Sequence, residues 1–143
     1  MPQVIPLFSL HWVMGIHDYW MYTGDLGTVA ELLPGVRQVL DFFGRRLNDD
    51  GTVGEMPGWM FADWCPQWPP AAGGAMGCPP GAERGRSALV SLMTVETLDR
   101  AAELAAAAGE EAAPFAGRAQ ALREAAHGVF YDESRGLYRD TPD

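Results

Sequence analysis

Apolar residues near the start of the chain recur with a helical period. Residues 7–22, LFSLHWVMGIHDYWMY, are apolar on most faces of a helix. One side of this predicted helix carries Leu10, Val13, Met14, His17 and Met21. A helix that is hydrophobic nearly all round is usually covered by protein on most sides. Gly24 and Asp25 follow it, and they predict a left-handed helix end and an N-cap for the next helix.

The second helical pattern has a single apolar stripe. The stripe consists of Val36, Val39, Leu40, Phe43 and Leu47, with charged residues mostly on the other side. Pro34 predicts the first turn of this helix, because the N–H that proline lacks is not needed there. The turn sequence NDDG at 48–51 predicts its end. Residues 7–48 therefore predict a helical hairpin.

The pattern becomes helical again from residue 86. Ser87 predicts an N-cap and Gly109 the end of a long helix, whose buried candidates are Leu89, Leu92, Met93 and Leu104. A further helix runs from about Pro114, with a stripe of Phe115, Ala119, Leu122, Ala126 and Phe130. The short connection between them predicts an antiparallel hairpin over 86–130. The tail, 131–143, shows a turn at Gly136, and no pattern is strong enough to predict a sheet.

Residues 49–85 show neither the period of a helix nor the alternation of a strand. This segment is rich in glycine and proline, and its stretch GWMFADWCPQWPP, 58–70, holds three of the chain's five tryptophans. A segment of this length without regular structure is usually functional or disordered. The whole chain thus predicts an all-α fold: one domain over 1–143, in which two helical hairpins flank a long aromatic loop rich in Gly and Pro.

Composition narrows the classes of partner. The chain has 143 residues, 48% of them hydrophobic and 20% charged, which is an ordinary globular balance. A formal charge of −9 argues against nucleic acid and anionic membranes as partners. No apolar run is long enough for a membrane span and no export signal is visible, which favours a cytoplasmic location but leaves the compartment open. Free thiols are favoured over a disulfide for Cys65 and Cys78.

Motifs for common catalytic chemistries are missing. The sequence has no phosphate loop, no Gly-x-Ser-x-Gly and no metal-ligand cluster. His11 and His17 point about 120° apart on a helix, so they cannot share a metal. A structural interpretation is also favoured for His17–Asp18, since neighbours in a helix face different directions. We predict no catalytic residue, metal or cofactor in this chain.

Asp63 stands out because of the residues around it. An acid among Trp59, Phe61, Trp64 and Trp68 has the residue types of a sugar site, where rings pack on the apolar face of a pyranose and a carboxylate accepts hydrogen bonds from hydroxyls. In the alternative interpretation the rings fix the loop to the helices and Asp63 caps a turn. Composition alone favours that alternative, because aromatic clusters are more often core than ligand site.

Four segments, taken in order, resemble a known family. They are IPLFSLHWVMGIHDYWMYTGD at 5–25, DDGTVGEMPGWMFADW at 49–64, AAELAAAAG at 101–109 and FYDESRGLYRD at 130–140. Together they resemble the catalytic domain of bacterial α-L-rhamnosidases, which are six-hairpin glycosidases with an (α/α)6 barrel. The most specific parts are WMYTGD at 20–25 and the Phe-x-Asp-Trp motif, Phe61 to Trp64.

The resemblance implies a carbohydrate site in the loop. In that family an Asp-Trp pair reaches the sugar-binding centre of the barrel, and this pair falls on Asp63 and Trp64. We expect Phe61, Trp59 and Trp12 to line the same site, although Trp59 and Trp12 match no named family role. The implied ligand is a carbohydrate, such as a glycoside containing L-rhamnose.

The resemblance also implies that the chain is incomplete as an enzyme. The family's general acid lies in an ERxGWxGD-like segment before the matched region, and its second carboxylate lies beyond it; this sequence contains neither. Two predicted hairpins also cannot close a six-hairpin barrel. We therefore expect a truncated piece with open apolar faces, which the rest of the barrel or a second copy would cover.

Three hypotheses follow. The first is a piece of a rhamnosidase-like glycoside hydrolase, inactive alone, that contributes part of the sugar-binding wall. The second is a non-catalytic carbohydrate-binding or helper module. The third is a purely structural helical domain whose aromatic loop belongs to the core.

Overall fold

The computed structural model describes residues 4–143, and within them four long α-helices form two hairpins. The helices are α1, Pro6–Thr23; α2, Leu26–Gly44; α3, Ala88–Ala107; and α4, Ala113–Phe130. Two short 3₁₀ turns, Ala72–Gly74 and Ala82–Arg84, interrupt the long loop. The all-α prediction is confirmed. Residues 1–3 of the predicted domain lie outside the described part.

Helix α1 buries only one side. Leu7, Leu10 and Val13 are fully buried, and Ile16 and His17 nearly so. Of the stripe predicted for this side, Met14 is half-buried and Met21 is exposed. The exposed large side chains of α1 are Phe8, Trp12, Tyr19, Met21 and Tyr22. Its hydrophobic character therefore continues around a face that α2 and α3 leave largely open, although the ring of Trp12 reaches Gly35 of α2.

The connection from α1 to α2 follows the predicted cap chemistry. Gly24 adopts the left-handed conformation, with φ 67°, and its N–H donates to the carbonyl of Trp20 over 2.7 Å. The Oδ1 atom of Asp25 accepts from the N–H of Thr28 over 3.1 Å. These bonds satisfy groups that helix ends otherwise leave unpaired.

Helix α2 begins at Leu26, so the prediction that Pro34 lies in its first turn is wrong. Pro34 is inside the helix, where a proline removes a hydrogen bond and costs about 3 kcal/mol. Pro34 and Ala30, whose carbonyl loses its partner, are both exposed, so water can hydrate this carbonyl. Buried Leu33 and Val36 continue the packed face across the proline and hold the helix together.

Two smaller expectations for α2 are also corrected. The helix ends at Gly44, four positions before the predicted turn. Leu47, expected in the apolar stripe, is therefore beyond the helix, where it is exposed and forms a single β-bridge with Val53. The turn itself is present, since the N–H of Gly51 donates to the carbonyl of Asn48 over 2.9 Å.

Helix α3 has a different buried face from the one expected. Leu104 is fully buried, but Leu89, Leu92 and Met93 are only half-buried. The buried residues of α3 are Ala88, Val90, Ser91, Thr94, Val95, Thr97, Leu98, Ala101, Leu104 and Ala105. Small and hydroxyl-bearing side chains fit here because α3 packs against α1, α2 and α4 at once. The threonine hydroxyls bond to carbonyls one turn back.

The α3–α4 hairpin agrees with the pattern that predicted it. Gly109, with φ 76°, follows the end of α3, and all five residues of the α4 stripe are buried. A two-stranded antiparallel sheet, β1 Tyr131–Asp132 and β2 Leu137–Tyr138, follows α4 around Gly136, so the expectation of no sheet was too strict. Within residues 4–143, none of the helices has the length and apolarity needed to cross a membrane.

Candidate functional site

The aromatic loop is closed at its base by side-chain bonds. The Nδ2 of Asn48 donates to the carbonyl of Gly85 over 2.8 Å, and Arg86 pairs with Asp50 over 2.5 Å. The N–H of Val53 donates to the Oγ of buried Ser91 over 3.2 Å. These bonds join the first residues of the loop to its last ones and to α3. Surface loops whose ends are held close together are typically compact and frequently functional.

Three rings of the loop and one ring of α1 form what we call the aromatic cluster: Phe8, Trp59, Phe61 and Trp64. The ring centroids of Trp59 and Phe61 are 4.8 Å apart, and those of Phe61 and Trp64 4.9 Å. Phe8 meets Phe61 edge to face at 6.0 Å. These separations are typical of favourable aromatic pairs.

Backbone contacts fix the rings of the cluster. Phe61 lies against Gly77, where an added Cβ would be 2.5 Å from the ring, so only glycine leaves room for it. The indole N–H of Trp59 donates to the carbonyl of Met76 over 2.9 Å, and its backbone N–H donates to the carbonyl of Val4 over the same distance. The loop rings of the cluster are therefore held by backbone contacts and by Phe8 of α1, although they lie on no helix or strand themselves.

The cluster presents apolar surface to solvent. Trp64 is 67% exposed, whereas Trp59 and Phe61 are half-buried. An indole that contributes mainly to the core would be largely covered. The exposure of Trp64 therefore favours a binding surface over the core interpretation of this ring.

Asp63 directly precedes Trp64 in the chain, and one of its carboxylate oxygens is available to a ligand. Its Oδ1 accepts from the N–H of Trp64 over 2.7 Å, which is the turn-capping role considered from the sequence. Among the described residues, its Oδ2 has no hydrogen-bond partner. The carboxylate of Asp63 is exposed, so Oδ2 can accept a hydrogen bond from a ligand.

Trp12 and Trp68 lie apart from the cluster. The indole of Trp12 packs against Gly35 of α2, where an added Cβ would be 2.8 Å from the ring. Trp12 is 42% exposed and lines a groove with Tyr19. Neither tryptophan makes a ring contact with the cluster in the part of the chain that the structure describes. The predicted site residues thus divide into Trp59, Phe61, Asp63 and Trp64, which come together, and Trp12, which does not.

Sequence reasoning missed Phe8 as a member of the cluster. Its only signal was its place on the side of α1 that lacks the buried stripe, four residues before Trp12. Which of these exposed rings meets the loop depends on how the loop folds back onto α1. That fold-back rests on the contact between Val4 and Gly58, which no local pattern reveals.

A cavity of about 570 Å³ adjoins the cluster at Trp59. Its lining includes Met56, Met60 and Cys78, together with two carboxylates, Glu55 and Glu83. These two acids are far apart in sequence, and no motif connected them. The cavity gives the aromatic loop a second concave surface, on which acceptor groups and apolar groups are combined.

Another cavity, of about 450 Å³, lies between the end of α2 and the α3–α4 hairpin. Three charged side chains line it, and its single carboxylate is already paired, since Arg118 donates to Asp41 over 3.0 Å; the third, Arg45, is a donor only. It contains no part of the aromatic cluster. The exposed rings and free acceptors lie at the loop, so the loop is the better candidate for a binding site.

His17 takes part in a polar cluster between α1 and α3. Its Nε2 lies 2.7 Å from a carboxylate oxygen of Glu103, and Arg100 donates to Asp18 over 2.7 Å. Each partner comes from the facing helix, so these bonds connect two packed helices. This arrangement supports the structural interpretation of His17–Asp18.

The cysteines and potential metal ligands show no assembled centre. Cys65 and Cys78 are free thiols, as expected. Burial raises the pKa of the Cys78 thiol, and the negative charge of Glu83 adds to this effect. Within residues 4–143, no three His, Cys, Asp or Glu side chains are grouped closely enough to hold a metal ion.

Comparison with known proteins identifies the family. Residues 2–142 match the model of the bacterial alpha-L-rhamnosidase 6 hairpin glycosidase domain. The chain belongs to this family. A solved structure, the GH78 family rhamnosidase of Bacillus sp. GL1 at 1.9 Å, is similar with 30% sequence identity and a TM-score of 0.80. The match covers 97% of this chain and 13% of that one, and a comparison with curated proteins gave no match.

The family assignment explains the architecture. The two helical hairpins fit a part of the helical six-hairpin glycosidase domain that the family model describes, and their fold is similar to a part of the GH78 rhamnosidase. The chain spans only 13% of the similar enzyme's length, so the activity of a whole enzyme does not transfer to it directly.

Proposed function

We propose that this chain supplies part of the sugar-binding wall of an α-L-rhamnosidase-like glycoside hydrolase, and that it does not cleave glycosides alone. The observation that carries the proposal is the aromatic cluster: its most exposed ring belongs to Trp64, whose backbone N–H donates to one carboxylate oxygen of Asp63 and leaves the other available. A carbohydrate containing L-rhamnose is the proposed ligand.

The chemistry of the cluster suits a sugar ring. An exposed indole can pack on the C–H face of a pyranose, and a carboxylate can accept hydrogen bonds from its hydroxyls. Both groups are held in place before any ligand arrives, which reduces the entropy cost of binding. Trp12 remains a predicted contributor, although it would have to act from the neighbouring groove.

The proposed inactivity rests on the catalytic pair that glycoside hydrolysis requires. One carboxyl group must protonate the leaving oxygen, and a second must act as base or nucleophile on the other side of the sugar. The family's acid-bearing segment has no counterpart in this sequence. We infer that other parts of a six-hairpin domain supply both groups.

Titration with L-rhamnose, followed by tryptophan fluorescence and calorimetry, tests the binding proposal. We expect Trp64→Ala and Asp63→Asn each to weaken binding by about tenfold, which corresponds to about 1.4 kcal/mol. Trp68→Ala is the matched control, because it removes the same side chain from the same loop outside the cluster. Equal losses in all three variants, or no rhamnose binding by the unchanged chain, would refute the proposal.

A hydrolysis assay tests the second half of the proposal. We expect the 143-residue chain to release no p-nitrophenol from p-nitrophenyl α-L-rhamnoside. Turnover that co-purifies with the chain and disappears in Asp63→Asn would show instead that this chain is catalytic.

A helper module that joins another chain is the second candidate. The exposed face of α1, with Phe8, Trp12 and Tyr19, favours it, because contiguous apolar surface of this kind marks interaction sites. The rest of a barrel or a second copy of the chain could cover this face. Light scattering measures the oligomeric state, and binding of a hydrophobic dye measures how much of this face is exposed. A monomer that binds no dye would contradict both the open apolar face and its role in binding a partner.

A further inference from the structure

The cavity beside Trp59 has the size and walls of a small-molecule site. Its volume of about 570 Å³ is within the range of roughly 300–1,000 Å³ found for ligand pockets. Most of its wall is apolar, as in Met56, Met60 and Ala75, and Trp59 also lines it. Trp59 also belongs to the aromatic cluster, so the cavity and the cluster are adjacent.

Two carboxylates in this lining keep free acceptor capacity. In the described part of the chain, the carboxylate of Glu55 makes neither a hydrogen bond nor an ion pair. Glu83 pairs with the Nε of Arg84 at 3.5 Å, and the side chain of Arg84 is 71% exposed. The lining residues that the structure describes include no basic side chain. Hydrogen-bond donors for these oxygens must therefore come from water or from a ligand.

A neutral, hydroxyl-rich ligand fits this lining better than a cation. Glu55 is exposed, and about a third of the Glu83 side chain, 32%, remains exposed, so water hydrates both charges and no counter-charge is needed. The raised pKa of Cys78 keeps this thiol protonated, and a protonated thiol is a poor metal ligand. A sugar ring can stack on Trp59 and donate its hydroxyls to the two carboxylates.

The wall that carries Glu55 is held at both ends. The backbone of Gly85 lies directly against Gly54 and the N atom of Glu55, leaving no room for a Cβ. At the other end, an added Cβ on Gly58 would lie 2.5 Å from the carbonyl of Val4. The segment from Glu55 to Trp59 is thus fixed between two close backbone contacts, so the cavity is formed before a ligand binds.

We propose that this cavity is a second sugar subsite, which binds the ring next to the one held by the aromatic cluster. Trp59 is shared between the two subsites, and Glu55 and Glu83 accept hydrogen bonds from hydroxyls of the second ring. The inference rests on the proposed function, because it takes the cluster as the site of the first ring.

Two probes separate the subsites on the 143-residue chain: L-rhamnose and a rhamnosyl-glucose disaccharide. NMR follows the chemical shifts of backbone amides in the aromatic cluster and in the cavity beside Trp59. We expect rhamnose to shift the amides of Phe61 to Trp64. The disaccharide should also shift the amides of Met56, Met60 and Ala75, and calorimetry should show that it binds more tightly than rhamnose.

Charge-neutral variants test the two carboxylates. Glu55→Gln and Glu83→Gln should each weaken disaccharide binding by about tenfold, as expected for hydrogen bonds to charged acceptors, and should leave rhamnose binding unchanged. Glu111→Gln is the matched control, because Glu111 is exposed in the connection between α3 and α4. It should change neither affinity.

Each result distinguishes this inference from the proposed function. Shifts confined to Phe61 to Trp64 with both sugars would overturn the second subsite and leave the first intact. Shifts confined to the cavity would support a sugar site there and contradict the role of the cluster. If neither sugar shifts any amide, both proposals fail. If Glu55→Gln and Glu83→Gln bind the disaccharide as tightly as the unchanged chain, these carboxylates are not part of the site.

Discussion

The α3–α4 hairpin and the aromatic loop are both rich in apolar residues, but they use them in opposite ways. In the hairpin, helical spacing places small side chains such as Ala101, Ala105 and Ala119 in the fully buried interface. In the loop, the largest side chains meet one another at the surface, and Trp64 is mostly exposed. A regular period predicts burial because it repeats on one face, whereas the place of a loop residue depends on single backbone contacts.

The largest expected effect on stability is the difference between removing a buried ring and removing an exposed one. Phe130→Ala removes a fully buried ring and should lower the free energy of unfolding by about 3–5 kcal/mol. Trp64→Ala removes a larger but exposed ring and should change it by less than about 0.5 kcal/mol. Urea unfolding followed by circular dichroism measures both. A loss for Trp64→Ala as large as that for Phe130→Ala would mean that the loop rings are core after all.

A pair of glycines tests the backbone contacts that close the loop. Gly85 has φ 63° and faces the backbone of Gly54 and Glu55, so Gly85→Ala should destabilise the protein by up to about 3 kcal/mol. Gly117→Ala in α4 meets no atom within 4 Å and should stabilise by about 0.5–1 kcal/mol. Thermal melts of the two variants should shift in opposite directions. Shifts in the same direction would contradict a closed loop base.

Two buried serines near the start of α3 give a finer comparison. Ser91→Ala leaves the N–H of Val53 without its partner and should cost about 1–2 kcal/mol. The Oγ of Ser87 has no hydrogen-bond partner among the described residues, so Ser87→Ala should be neutral or slightly stabilising. Urea midpoints distinguish the two variants. If both lose the same amount of stability, the Ser87 hydroxyl caps α3 in solution.

The smallest expected effect is the pH dependence of the Asp50–Arg86 pair. Burial raises the pKa of the Asp50 carboxyl, but hydrogen bonds from Thr52 and Arg86 outweigh it and hold this pKa below its ordinary value. The carboxylate therefore stabilises the fold above its unfolded pKa of about 3.9, and the benefit disappears as pH falls through the folded pKa. Wild type should exceed Asp50→Asn in urea midpoint at pH 7 but not at pH 2. A constant difference would exclude titration of Asp50 as the cause.

Most of the helical framework could be predicted from the sequence, whereas the site could be predicted only in part. Gly24, Asp25 and the α4 stripe act through neighbours within a turn or two, so local patterns found them. Pro34 misled the assignment of α2 because exposure of the Ala30 carbonyl, a tertiary property, makes an interior proline tolerable. The Phe-x-Asp-Trp motif pointed to Asp63 and Trp64, but nothing local linked them to Phe8 or to Glu83.

The sequence by itself determined four helices, the caps at Gly24 and Asp25 between α1 and α2, an aromatic segment without long regular elements and the resemblance to six-hairpin glycosidases. Tertiary structure alone decided which side of α1 stays open, which rings form the aromatic cluster, and that Glu55 and Glu83 line one cavity. The physical reason is the range of the interactions involved. Helix periods and caps depend on residues a few positions apart, whereas the site depends on close contacts such as Phe61 on Gly77 and Gly85 on Gly54, which arise only when distant segments pack together.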